Sequence, residues 1–175
     1  MTTPKNIFIT GKPGSGKTTL VREVCLRFKG EVGGFYTEEM REGRGRMGFV
    51  LKTFDGQSRV LAKKGMASPH RLNKYGIDIE TIENTGVNAL RKALSEKKVI
   101  VIDEIGSMET VSELFRETVF ECLNSPSRVL ATIRFQAQPF TNEVKQLEDT
   151  RLIYLSRDNF AEVKKEVLEW MGKEI

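Results

Sequence analysis

Gly11-Lys12-Pro13-Gly14-Ser15-Gly16-Lys17-Thr18 fits the spacing G-x-x-x-x-G-K-[S/T] at every fixed position. Each fixed position has a chemical reason. Glycines let the backbone curl closely round a phosphate, so that successive N–H groups point inward. The helix that follows adds its positive N-terminal end. Lys17 brings a compact charge to the β and γ phosphates, and the Thr18 hydroxyl is a ligand for Mg²⁺. A second stretch completes this chemistry. Val99-Ile100-Val101-Ile102 is an apolar run that ends in Asp103-Glu104 and continues as Ile105-Gly106. Carboxylates at the C-terminal end of a buried strand stand at the edge where open α/β sheets bind ligands. There Asp103 is placed to hold Mg²⁺ through water, beside Thr18. With one carboxylate already serving the metal, Glu104 is free to orient and polarise a water for attack on the γ-phosphate, which favours hydrolysis over binding alone. The alternatives for Glu104 are an outer partner of the metal or a surface acid.

Other residues reach the same edge. Arg134 directly follows Leu130-Ala131-Thr132-Ile133, a strand-like run, so it either bonds the γ-phosphate or caps that strand. Glu109 is the next carboxylate able to activate water if Glu104 does not. Arg41, Arg44 and Arg46 fall in a glycine-rich turn and read as a solvated loop, with one of them folding over a nucleotide as the alternative. Asn73-Lys74-Tyr75-Gly76 matches a guanine-reading N-K-x-D motif only in part. Gly76 stands where the base-reading acid belongs, and the stretch precedes Asp103 instead of following it. His70, the only histidine, reads as a loop residue. Cys25 and Cys122 form neither a C-x-x-C pair nor a zinc set, and their apolar neighbours make them small core residues. Trp170 lies on the apolar side of a closing helix, which makes it a core residue rather than a base-stacking surface.

Residues so far apart in the chain need a scaffold that gathers them. Residues 6–10 read as a buried strand and 17–28 as a helix with Leu20, Val21, Val24 and Phe28 on one side. Residues 32–39, 46–54 and 57–62 are strand-like, and Asp55-Gly56 between the last two is a hairpin signal, because both turn positions want positive φ. An irregular basic stretch runs to about Tyr75. Helical pattern over 79–95, 111–123, 141–146 and 160–171 then alternates with strands at 98–103, 128–133 and 151–155. Strand–helix alternation predicts a mostly parallel sheet covered on both faces, with the hairpin adding antiparallel strands at one edge. The 175 residues, 39% of them hydrophobic, suit one domain spanning 1–175. No apolar run is long enough to cross a bilayer, and the first residues lack the basic and apolar regions of a secretory leader, so a cytoplasmic monomer is expected. The net charge of +4 suits an anion site and permits nucleic acid. The basic residues form short pairs (Lys63-Lys64, Lys97-Lys98, Lys164-Lys165) without interleaved aromatics, so nucleic acid is not indicated.

With both motifs placed, the chain resembles the small P-loop nucleoside triphosphatases first recognised in thermophiles, also called the cancer-related nucleoside triphosphatase family. The resemblance rests on four stretches: 9–21 with the glycine loop (Walker A), 32–49 with the glycine-rich turn, 73–80, and 101–115 with the carboxylates (Walker B). It implies a three-layer fold, a RecA-like sheet with an antiparallel extension, and Mg²⁺-dependent hydrolysis of several nucleoside triphosphates to diphosphates. It departs from the family pattern at two positions. The family usually has Lys where this chain has Ser107, and Pro where it has Arg134. If that Lys stabilises charge on the transferring phosphoryl group, Ser107 does not replace it. Either Arg134 compensates or the rate is lower.

Two other classes share the loop. A small nucleotide or nucleoside kinase needs Lys17, Thr18 and Asp103 as well, but also an acceptor pocket and an arginine-rich lid, where this chain has a hairpin. A nucleotide-dependent nucleic-acid-binding module would show a basic stripe. No base-reading motif is present in the right order, so ATP, GTP, CTP and UTP are expected to serve alike, with slow turnover.

Overall fold

Alternation of apolar residues decides which way each strand faces, and so which helices cover it. The computed structural model describes residues 3–173. Its strands are β1 (Asn6–Thr10), β2 (Val32–Glu42), β3 (Gly45–Thr53), β4 (Ser58–Lys64), β5 (Arg71–Leu72), β6 (Tyr75–Ile77), β7 (Val99–Ile105), β8 (Arg128–Ile133) and β9 (Thr150–Tyr154). Its α-helices are α1 (Lys17–Cys25), α2 (Asn88–Glu96), α3 (Glu113–Asn124), α4 (Pro139–Lys145) and α5 (Phe160–Gly172). All these strands join one sheet in the order β5-β6-β4-β3-β2-β7-β8-β1-β9.

From β2 to β9 every pairing is parallel. From β2 to β5 every pairing is antiparallel. Strand β2 joins the halves: residues 32–35 pair with β7, and from Phe35 onward it pairs with β3. The parallel strands are buried on both sides. Ile7, Ile9, Val99, Val101 and Leu130 pack against Leu20, Val21 and Val24 of α1 and Val163, Val167 and Trp170 of α5. Phe8, Ile100, Ile102, Val129 and Ala131 pack on the other face against Leu90 of α2, Phe115 and Val119 of α3, and Val144 of α4. The result is the expected three-layer, RecA-like arrangement. Strand β8 separates the strand that enters the glycine loop from the strand that carries the carboxylates.

Several details differ from the expectation. The antiparallel extension is larger than one hairpin, because the basic stretch before Tyr75 contributes β5, which pairs with β6 starting at Tyr75, the two joined through Asn73 with φ 51°. At Asp55-Gly56 only Gly56 has positive φ, 99°. The loop is longer than a two-residue turn, closed by Gly56 N to Thr53 O at 3.1 Å and Thr53 N to Gln57 O at 3.0 Å. Glycine at its last bend satisfies the geometry without a second left-handed residue. The helical stretch from Ile79 contains a π-helical segment, Thr81–Val87, before α2 begins. Helix α3 starts at Glu113, two residues later than the apolar pattern predicts. Ser112 is its N-cap, accepting a hydrogen bond from Phe115 N at 3.1 Å. Cys25, Cys122 and Trp170 are buried as expected, and burial pushes both thiols up to about 12.

Candidate functional site

The loop between β1 and α1 is shaped by its glycines. Gly16 caps α1 with φ 96°, a conformation that L side chains rarely adopt. At Gly11 a Cβ would lie 2.4 Å from the Leu155 carbonyl oxygen, so no larger residue passes there. Gly16 makes no side-chain cap, so the first N–H groups of α1 keep their capacity for an anion. Lys17 Nζ donates to the Gly11 carbonyl at 3.0 Å, across the loop. The buried hydroxyls of Ser15, in the loop, and Thr10, at the end of β1, have no partner within the protein.

Asp103 sits on the α1 side of β7, in step with Val99 and Val101. Residue alternation in β8 puts Thr132 on the same side, and its hydroxyl donates to Asp103 Oδ1. Thr37 N lies 3.5 Å from Oδ2, and the Thr18 side chain lies near enough to favour the charged carboxylate. Asp103 is 1% exposed. Burial raises its pKa, opposed by these hydrogen bonds and by Lys17. A carboxylate and a hydroxyl side by side are hard oxygen donors. They suit Mg²⁺, which keeps waters and phosphate oxygens for its remaining positions.

Glu104, next along, lines the cleft instead of the sheet interior. Its pKa is raised chiefly by burial, with Lys17 and Arg134 opposing and Asp103 adding. Glu109 stands close by. A Cβ on Gly106 would lie 3.1 Å from Glu109 Oε2 and 3.4 Å from Glu104 Cδ, so the two carboxyls flank the same glycine. Glu109 is 5% exposed, and burial together with the Glu104 charge pushes it up to about 8.

Arg134 emerges from the end of β8 into the same cleft. Its guanidinium donates to Ser107 Oγ, to Gln136 Oε1 at 2.9 Å and to Gln138 Oε1 at 3.4 Å. These partners are side chains, so the guanidinium is not spent on the strand's carbonyls. Ser107 and Arg134 thus touch each other.

The cleft encloses about 1210 Å³. It runs from the glycine loop past Glu104 and Arg134 to Phe49, Leu61 and Leu72 on the extension. Of the three arginines in the glycine-rich turn, Arg46 reaches this cleft, where it stacks over Phe49 at 5.4 Å and pairs with Glu39. Arg46 is exposed there, as is Arg41, which bonds Glu39 at 2.9 Å, so both are solvated, at the ends of strands β2 and β3 rather than in a loop. His70 lies outside the cleft, its carbonyl accepting from Ile77 N at 2.8 Å. Sequence reasoning missed Thr132 and Thr37 as holders of Asp103. The signal for Thr132 was a lone hydroxyl in an otherwise apolar strand before Arg134. Thr37 acts through its backbone, which leaves no signal in residue type.

A glycine loop from buried strand to helix, with Lys17 and Thr18 at its exit and Asp103 two strands away, defines a P-loop nucleotide-binding protein with a RecA-like sheet. The family model described as NTPase matches residues 6–168. A nucleoside-triphosphatase THEP1 of Thermotoga maritima is 42% identical over 162 residues, covering 93% of this chain and 92% of the relative. The crystal structure of THEP1 from the hyperthermophile Aquifex aeolicus superposes with a TM-score of 0.89 at 33% identity, covering 96% of this chain and 99% of that one. The solution structure of a human cancer-related nucleoside triphosphatase superposes with a TM-score of 0.80 at 32% identity, covering 95% and 97%. The chain belongs to this NTPase family.

Proposed function

We propose that the chain hydrolyses nucleoside triphosphates to diphosphate and phosphate, with Mg²⁺ as cofactor and little regard for the base. The observation that carries this reading is the buried Asp103 carboxylate, held by Thr132 and Thr37 beside Thr18 and Lys17 of the glycine loop, with Glu104 lining the same cleft. The loop N–H groups and Lys17 bind and orient the triphosphate. Thr18 and Asp103 would hold Mg²⁺, which would supply positive charge to offset that of the phosphates. Glu104 orients a water in line with the γ-phosphate and accepts its proton. Arg134, held by Ser107, Gln136 and Gln138, directs its charge at the transferring phosphoryl group, supplying the cation that Ser107 does not. The chain acts as one domain and as a monomer in this reading, with nucleotide as its partner rather than nucleic acid. No helix among the described residues is long and apolar enough to cross a membrane.

The test is phosphate release from ATP, GTP, CTP and UTP with Mg²⁺ and no acceptor. Hydrolysis of all four within about 10-fold in kcat/KM, a window of about 1.4 kcal/mol, is expected. Turnover is expected at about 10⁻³ to 10⁻¹ s⁻¹, the scale of P-loop hydrolases without a partner-supplied arginine. A kinase is the second reading, favoured by the cleft's reach beyond the loop to Phe49, Leu61 and Leu72. Phosphate lost from the triphosphate only when a nucleoside or nucleotide acceptor is added would establish it instead.

A further inference from the structure

The phosphate chemistry leaves one feature at the edge of the cleft without a role: Phe135, which lines it, and Tyr154, packed against Phe135 beyond the lining. Among the described residues the large apolar side chains most open to solvent are Leu26, Phe135, Leu152 and Tyr154. Single exposed apolar residues need no explanation. Phe135 and Tyr154 are different, because they form an edge-to-face pair with centroids 5.6 Å apart while 47% and 45% exposed. Their place in the sheet is also specific. Tyr154 ends β9 and pairs in register with Thr10, the residue before the glycine loop. Phe135 follows Arg134 beyond β8 and lines the cleft together with Gly11, Lys12 and Pro13. Strand order at this edge is β7, β8, β1, β9. The carboxylates on β7 mark the γ-phosphate end. A nucleotide whose phosphates lie on the loop must therefore extend its nucleoside away from β7, toward β9. Three strand spacings, about 14 Å, separate those two ends.

We infer that Phe135 and Tyr154 form the platform on which the nucleobase stacks. The inference rests on the triphosphate-binding reading and adds the part of the site that binds the nucleoside. Ring faces hold any base, since each base has a π-face, so the platform contributes affinity without choosing among bases. It accounts for broad base use in a chain that has no base-reading motif. Purines, with the larger face, gain more from it than pyrimidines.

Phe135→Ala, Tyr154→Ala and Phe135→Tyr are compared with the parent in Mg²⁺-containing titrations of ATP, CTP and inorganic tripolyphosphate. Tripolyphosphate carries the phosphates without a base. Loss of about 10-fold or more in ATP affinity in both alanine variants is expected. CTP should lose less, tripolyphosphate affinity should be unchanged, and Phe135→Tyr should keep the parent's values. Unchanged tripolyphosphate binding also reports that the variants fold. If both alanine variants bind ATP as the parent does, the base lies elsewhere and the inference is overturned. If they instead alter self-association in sedimentation and leave ATP affinity unchanged, the pair is a contact between copies of the chain, which overturns it equally. If the parent binds neither ATP nor tripolyphosphate, the triphosphate reading itself fails and the platform fails with it.

Discussion

Asp103 and Glu104 are neighbours in the chain and occupy different surroundings. Asp103 is buried and held by Thr37 and Thr132, whereas Glu104 lines the cleft. The proposed function gives these adjacent acids separate roles, and substitution should separate them. Asp103→Asn is expected to weaken Mg²⁺ and nucleotide binding as well as turnover. Glu104→Gln keeps size and hydrogen bonding but loses the base, so nucleotide affinity should hold while kcat falls about 10²- to 10⁴-fold. Binding titration beside single-turnover hydrolysis reads both effects. Equal loss of affinity in the two variants would assign Glu104 to the metal. Glu109 makes a prediction in pH. Its pKa is raised to about 8 in the folded protein, so between about 4.5 and 8 the folded state holds a proton that the unfolded state has released. Glu109 therefore subtracts stability progressively as pH rises through that window. Thermal unfolding of Glu109→Gln should show a midpoint above the parent's at pH 8, with the difference vanishing toward pH 4.5. A gap that does not vary with pH would show that the carboxyl titrates normally.

Ser112 links two elements that the apolar pattern alone describes poorly. Its hydroxyl accepts from Phe115 N to cap α3, and donates to Glu83 Oε1 at 2.7 Å in the π-helical segment. Helix α3 begins just after the loop that carries Ser107 and Glu109, so its start fixes where that loop ends. Ser112→Ala removes the cap and leaves Glu83 without this partner. A loss of about 1–2 kcal/mol is expected from urea denaturation. The cap was readable as a serine ahead of an apolar-periodic run, but Val111 extended the pattern by a turn and placed the helix start too early. Val111 belongs to a short 3₁₀ turn, Glu109–Val111, before the cap. The π-helical segment had no signal in periodicity, because a shift of one hydrogen-bond register over seven residues keeps the same apolar residues near the core.

Across the whole molecule the active edge is assembled from β7, β8, β1 and β9, with the antiparallel extension forming the far wall of the cleft. Arg134 and Ser107 connect the ends of two of these strands, and their contact joins them into one unit. If Arg134 acts on the transferring group, Arg134→Ala should lower kcat far more than it raises KM. Ser107→Lys in that background should then restore part of kcat by returning a cation from the neighbouring strand end. Steady-state kinetics on the single and double variants measure both. An unchanged kcat in Arg134→Ala would leave the guanidinium a purely structural link.

The glycine loop, the lysine and hydroxyl at its exit, the paired carboxylates and the strand–helix alternation were all legible in the chain. Each depends on residue type at short spacing, where backbone conformation and chemistry are local. The sequence by itself determined that this protein has a phosphate cradle and a carboxylate pair at a strand end. The tertiary structure alone decided what meets there. Thr132 and Thr37 close over Asp103, Arg134 reaches Ser107, Arg46 lies over Phe49, and Phe135 meets Tyr154. Those contacts join residues up to 66 positions apart, and they follow from which strands become neighbours. Strand order is set by the combined burial of two sheet faces, a property of the assembled sheet that no short stretch of sequence contains.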